Sequence, residues 1–584
     1  MKEPAEACYL LDLSCCEPHE ALSRDSRPDA WTMVDYEIAQ GPGVMLFAQA
    51  TTHPLPVTLP LNLKGCYKIY LGIYYGAHAG AVIDRVLKVK LTGDPSYTRI
   101  GREDFRPNKD GTYPEKDVKW SDIAEAFWKS ADLTGQAIMF SRPTQGQISE
   151  WDTNIAYVKL VPLSKSEIEA SRKDAPRPDT RRLVANYDGG NIGQWGLRSL
   201  DGIREEFECL RDSDFDTALY SVAEGPICYY PTGVGEFIEP CPFPSACSQH
   251  LAQAAHGLRE AGIDLLAAAI EMAHEVNVKL FPQIRFQTTQ SPPQHEVRYH
   301  GGQFQADHPE WLARYADGEP TRHLSLAFPE VRRFYVRLFR EWAEDYGADG
   351  INAIFSRSAP FVYYEEPVLS AFREATGEDV RKVPEEDERI LHCRAGFVTQ
   401  FLREVRMMLD EVGTKQGRTI PTCYQVPFNN TPDFSGTAVE ESLFHALDVA
   451  AWIKEGLVDD LILHIHAFGA HDGSALAPHI REFVRLAKGT GTKIYADVYP
   501  RRMPARAYRK IALSYYQAGA DGLSFWDSFT RHVRASEWAF IKKLGHKDDL
   551  PGWEGLGDDW YRAVPMRSLD GYRMGRTFSL PTDG

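Results

Sequence analysis

The sequence predicts an α/β protein: a (β/α)8 (TIM) barrel preceded by an antiparallel, jelly-roll-like β-sandwich. Three observations carry this expectation. Up to about residue 165 the apolar residues fall in short runs bounded by Gly, Pro, Asn and Asp, such as CYKIYLGIYY (66–75) and VLKVKLTG (86–93), the mark of antiparallel strands. From RRLVANYDGG (181–190) onward, strand-like apolar runs alternate with amphipathic helical stretches. Eight such runs can be counted, and eight βα units in one chain close a barrel.

In the first region, GVMLFAQA (43–50), QAIMFSRP (136–143) and NIAYVKLVPL (154–163) supply further strands. WSDIAEAFWKSADLTGQ (120–136) is rich in Ala and charge and reads as a loop with a helical turn. SKSEIEASRKDAPRPDT (164–180) is polar and Pro-rich and reads as a linker. The predicted barrel strands are RLVANYD (182–188), TALYSVAE (217–224), KLFPQIRF (279–286), GINAIFSR (350–357), TIPTCYQV (419–426), DLILHIHA (460–467), KIYADVYP (493–500) and GLSFWDS (522–528). The stretches 244–262, 328–347 and 394–413 supply helices between them. The expected domains are therefore a sandwich over 1–165, a linker over 166–180 and a barrel over 181–545. A C-terminal extension, 546–584, is expected to pack on one of the two domains.

Composition narrows the function. The net charge of −17 and the absence of a basic stripe argue against nucleic acid and against anionic membranes. No run of 18 apolar residues is present, so no membrane-spanning helix is expected. The N-terminal MKEPAEACYLLDLSCCEPHE lacks a basic region followed by an apolar core. The sequence is compatible with a cytoplasmic protein, or with a secreted or periplasmic one whose leader has been removed. The ten cysteines are scattered, and Cys228, Cys241 and Cys247 do not show zinc-ligand spacing, so neither metal nor other cofactor is expected. The 12 Trp and 27 Tyr suit a sugar cleft, where aromatic faces pack on pyranose rings, but they equally suit a large core. Trp120, Trp128 and Trp151 are expected to pack the sandwich or its contact with the barrel.

In a barrel of this kind, catalytic groups stand at the C-terminal strand ends and in the loops beyond. The surplus length lies there, in 225–247 after the second strand and 287–325 after the third. The candidate substrate-binding residues at those ends are Asp188, Glu224, Arg285, Arg357, Tyr364, Tyr424, His464, His466, Tyr499, Trp526 and Asp527. Arg285 and Arg357 would hold carboxylates ionised or bind an acidic group on a sugar. Asp497 alternates with Tyr495 and Tyr499 and so shares one strand face with them. In FSRSAPFVYYEEPV (355–368) the adjacent Glu365 and Glu366 follow the fourth strand and are candidates for proton transfer. His464 and His466, at i and i+2, raise a metal-dependent hydrolase as an alternative.

The phrases HPEW (308–311), LSLAFPEVRRFYVRLFREWAEDYGADGINAIFSR (324–357) and YYEEPVLSAFREATGEDVR (363–381) resemble the glycosyl hydrolase-like family 10 proteins over roughly 180–545. The resemblance implies a glycoside hydrolase with a carbohydrate substrate and two catalytic carboxylates. Carried onto this chain, these are Glu365 or Glu366 near the fourth strand and Asp497 on the seventh. Asn352 and Arg357 occupy the strand-four tip, where the broader clan places a glutamate. A non-catalytic carbohydrate-binding protein on the same scaffold is the other reading, and assembly into homo-oligomers is compatible with either.

Overall fold

The computed structural model describes residues 7–76, 85–101, 103, 121–240, 246–286, 302–357, 360–428, 434–465, 476–499, 501 and 503–573. Eight parallel strands form a closed barrel: β1 Leu183–Tyr187, β2 Phe215–Glu224, β3 Lys279–Arg285, β4 Ile351–Ile354, β5 Thr422–Phe428, β6 Asp460–Ile465, β7 Lys493–Asp497 and β8 Gly522–Trp526. Each pairs with the next in sequence, and Leu183–Asn186 of β1 pair with Leu523–Trp526 of β8 to close the ring. All eight predicted runs are these strands, with ends shifted by up to three residues. They are legible because both faces are buried, so the runs are nearly continuous apolar stretches.

Alternation along each strand fills the barrel in layers. Val184, Leu219, Phe281, Cys423, Ile462 and Tyr495 meet in an apolar floor. Two residues further along the strands, the next layer is polar. Gln283 Nε2 donates to Ser221 Oγ (2.7 Å) and Asn186 Oδ1 (3.2 Å). Gln425 Nε2 donates to Gln283 Oε1 (2.9 Å) and Asn352 Oδ1 (3.2 Å). This buried amide network supports the mouth above it, and such networks fix side-chain positions because each unmet polar atom is costly.

The expected helices are present as Ala246–Glu260, Pro329–Arg340 and Glu388–Gln416. The second runs on into a π-helical turn, Glu341–Asp345. The buried Glu341 carboxylate there accepts from Tyr230 Oη (2.6 Å), Thr232 Oγ1 (2.8 Å) and Gly233 N (2.5 Å). It thereby ties the long loop after β2 to the helix layer. Ile227–Cys228 in that loop adds an antiparallel strand to β2.

Among the described residues, the N-terminal domain has three sheets, antiparallel apart from the short pairing of Leu22–Ser23 with Trp31–Thr32. Its longest strand is Asp122–Asp132, which corrects the reading of 120–136 as a loop. The strand is flanked on both sides, by Cys66–Tyr74 and by Tyr561–Pro565. Pairing on both edges outweighs the low strand propensity of its Ala, Glu and Lys residues. The C-terminal segment therefore returns to the N-terminal domain: Tyr561–Pro565 completes one sheet and Ser568–Leu569 pairs with Trp31–Ile38 in another.

The segment between the domains is not irregular throughout. Lys165–Lys173 is a helix started by a capping box between Ser164 and Glu167. Lys68–Glu167 (2.9 Å) ties it to the N-terminal domain, and Lys543–Asp174 (3.1 Å) ties its end to the barrel.

Candidate active site

The C-terminal ends of the strands assemble a cluster of opposite charges. Asp188 immediately follows β1, and Arg285 ends β3. Arg285 Nε donates to Asp188 Oδ1 (2.7 Å), and its Nη2 bonds the other carboxylate oxygen, a bidentate pair. Arg357, three residues past β4, approaches Asp188 Oδ2 to 4.0 Å and lies over the Trp526 ring at 5.2 Å. Asp527 follows β8 in the left-handed region, φ 57°, a conformation that is uncommon outside glycine. Its carboxylate pairs with Arg501, from the loop after β7.

These groups shift one another. Desolvation pushes the Asp527 carboxyl above the ordinary aspartate range; Arg501 opposes this and the Asp188 charge adds to it. Desolvation alone would lower Arg285, but Asp188 outweighs it and leaves the guanidinium above its ordinary value. Burial, with repulsion from Arg285 and Arg501 adding to it, pulls Arg357 down. The mouth therefore holds one aspartate clamped by arginine beside another whose pKa is raised, with three guanidiniums around the two.

Asp497 lies below this ring. Its side chain is only 2% exposed, against 19% for Asp527. Asp497 Oδ1 accepts from Trp526 N (3.0 Å), and Oδ2 is 3.0 Å from His464 Nδ1. A carboxylate is acceptor-only, which assigns the proton to Nδ1. Desolvation lowers His464, so its ring is neutral near pH 7. The ring packs against Trp526 with centroids 4.0 Å apart. Asp497 and His464 thus fix the Trp526 backbone and indole, and with them the start of the loop that carries Asp527.

The other candidates fall in several places. Glu224 ends β2 beside Arg285 and accepts from Tyr229 Oη (3.3 Å). Tyr499 lies past the end of β7, half-buried against the main core, and so leaves the face shared by Tyr495 and Asp497. Tyr424 is corrected as a mouth residue. It is fully buried on the outer face of β5, against Phe355 and Trp452, because its neighbours Cys423 and Gln425 point inward. His466 lies outside the described residues.

Glu365 and Glu366 occupy a separate neighbourhood. Glu365 is the N-cap of helix Glu366–Thr376 and is fully buried. Its carboxylate accepts from Tyr363 N (2.9 and 3.1 Å), with Ser325 and Arg394 beside it, and desolvation raises its pKa. Tyr364 packs with Phe372, Val380 and Ile390 under the Arg394 guanidinium (4.4 Å). Glu366 accepts from Ser370 Oγ (2.9 Å) on the exposed helix face. Among the described residues, the hydrogen bonds and ion pairs of these glutamates do not reach the mouth cluster. Gln283 belongs to the site but was not among the candidates; Arg501, which also belongs to it, is legible only as a polar residue past the seventh strand. Arg501 sits in YPRRMP, a stretch without strand or glycine signature; Gln283 is set by strand parity alone, two residues before Arg285.

Among the described residues, no group of three or more His, Cys, Asp or Glu is placed to hold a metal ion, and no helix is long and apolar enough to cross a membrane. Solved structures similar to the chain include α-L-fucosidase isoenzyme 2 from Paenibacillus thiaminolyticus. That likeness has 17% identity and a TM-score of 0.39, covering 65% of this chain and 50% of that one. The β-galactosidase from the psychrophilic Marinomonas ef1 gives 14% identity and a TM-score of 0.38, covering 64% and 60%. The endo-β-1,4-mannanase from Thermotoga petrophila gives 12% and 0.36, covering 63% and 77%. The chain thus spans about half the length of the fucosidase and under two thirds of the galactosidase. No curated protein matches the sequence. Residues 240–504, which run from the loop after β2 to the loop after β7, match the family described as glycosyl hydrolase-like 10.

Proposed function

We propose that the protein is a glycoside hydrolase that cleaves a poly- or oligosaccharide with Asp527 as proton donor and Asp188 as its ionised partner. The observation that carries this reading is the unequal environment of two neighbouring carboxyls. Hydrolysis of a glycosidic bond needs one carboxylic acid to protonate the leaving oxygen and one carboxylate to act as nucleophile or base. A site supplies both when it pushes two carboxyl pKa values apart. Desolvation raises Asp527, while Arg285 holds Asp188 through a bidentate pair of hydrogen bonds.

In this scheme Asp497 and His464 are positioning residues. They hold Trp526, whose indole and the Arg357 guanidinium above it form one wall of the mouth. The family match supports the reaction class and, with it, a carbohydrate substrate. The test is release of reducing ends from a panel of polysaccharides, comparing the wild type with the Asp188→Asn/Asp527→Asn double variant. Reducing-end release by the wild type that the double variant lacks supports the proposal; equal release by both contradicts it.

A further inference from the structure

A cavity of about 550 Å³ lies between the N-terminal domain, the connecting helix and the barrel, remote from the mouth. Its lining draws on Trp128 of the N-terminal domain, Ala170 of the connecting helix, and Trp538 and Lys542 of the barrel's last helical segment. Its size is within the range of small-molecule sites.

The charges around it are not equivalent. Lys68 pairs with Glu167 at 2.9 Å, Lys129 with Asp94 at 2.5 Å, Arg211 with Glu208 at 2.9 Å and Lys543 with Asp174 at 3.1 Å. Lys542 lines the same cavity and, among the described residues, has no carboxylate within ion-pair distance and no side-chain hydrogen bond. Desolvation lowers its pKa, with the Asp212 charge the largest effect opposing it. A cation held in a walled space without a counter-ion is costly, and a bound anion relieves that cost. The indoles already have partners of their own: Trp538 Nε1 donates to Cys209 O (2.7 Å) and Trp128 Nε1 to Thr98 Oγ1 (3.2 Å). They therefore contribute apolar ring surface.

We infer that this interdomain cavity is a second binding site, separate from the barrel mouth, for a small acidic sugar of the uronate class. Its carboxylate would pair with Lys542, its hydroxyls would donate to the carboxylates at the rim, Asp212 among them, and its apolar face would pack on the tryptophans. A ligand seated there touches all three segments at once and braces the N-terminal domain against the barrel.

The experiment is calorimetric titration of the full chain with D-glucuronate and D-galacturonate, with D-glucose as the uncharged control. The wild type is expected to bind at least one uronate at about millimolar concentration and to bind glucose at least about tenfold more weakly. Lys542→Met, which keeps the alkyl stem, is expected to lose at least about tenfold in affinity, and Lys542→Arg to retain it. Ala170→Trp, on the exposed face of the connecting helix, fills the cavity and is expected to block binding even if Lys542→Met folds poorly. Asp188→Asn/Asp527→Asn is expected to bind as the wild type does, which separates this site from the mouth and from the proposed hydrolysis. Absence of uronate binding, unchanged affinity in both Lys542→Met and Ala170→Trp, or loss of binding in the mouth double variant would each overturn the inference.

Discussion

Asp188 and Asp527 stand at the tips of neighbouring barrel strands, yet arginine holds them differently. Asp188 receives two hydrogen bonds from one guanidinium and the approach of a second, from Arg357. Asp527 pairs with Arg501 through one oxygen, at a more exposed position. One scaffold thus places an arginine-clamped carboxylate beside a carboxyl whose pKa desolvation raises, an arrangement that suits the two roles of glycoside hydrolysis.

The first prediction concerns pH. In the proposed mechanism Asp527 acts in its protonated form, and desolvation raises its pKa above the ordinary 3.8. Activity is therefore expected to fall as pH rises through the Asp527 pKa, giving the alkaline limb of the kcat/KM profile. A profile with no limb above the ordinary aspartate range contradicts the assignment.

Arg501 sets where that limb lies. Its positive charge opposes the upward shift of Asp527. Arg501→Gln removes that charge, so the limb is expected to move to higher pH, by about one unit for a pair this close. A limb that stays in place, or moves down, shows that another group is titrating.

Glu365 gives a contrasting case. Its carboxylate caps a local turn at Tyr363 and is enclosed by protein. Glu365→Gln is expected to change kcat/KM by less than about threefold and to lower stability by about 1 kcal/mol, a fall in Tm of about one degree in a chain of this length. Turnover lost in a variant with an unchanged Tm would return the acid role to Glu365.

Asp460, at the start of β6, tests the electrostatics of the opposite end of the barrel. Desolvation, with Asp459 adding to it and Lys493 opposing it, raises its pKa from 3.8 to about 7. A carboxyl whose pKa is raised on folding holds its proton longer in the native state. Stability is therefore lost as pH rises from about 4 to about 7 and stays lower above that. Asp460→Asn removes this loss and is expected to be more stable than the wild type at pH 8, by up to about 4 kcal/mol, with little gain at pH 4. Denaturant melts at the two pH values read the difference.

The barrel was legible because each strand is a nearly continuous apolar run bounded by helices, and eight of them fit one architecture. Strand Asp122–Asp132 was hidden because its stability comes from two partners distant in sequence, one of them more than 400 residues away at Tyr561–Pro565. The site was legible as a list of strand-end residues but not as a set of pairs. Asp188 and Arg285 are 97 positions apart, and no local pattern joins them. Tyr424 was misplaced for a related reason: in TCYQVPF every residue is buried, so no alternation reveals which side chains point inward. Glu365 and Glu366 drew attention as adjacent acids after a strand, and only the three-dimensional path of that loop shows where they go.

The central claim, that Asp527 donates the proton and Asp188 carries the negative charge, is tested most directly by leaving-group dependence. Two glycosides of the same sugar are compared, one with an alcohol leaving group and one with a nitrophenol that departs without protonation. Asp527→Asn is expected to lose about a hundredfold or more in kcat/KM on the first and little on the second, whereas Asp188→Asn loses on both. Equal losses for Asp527→Asn on both substrates, or wild-type turnover in both variants, would contradict it.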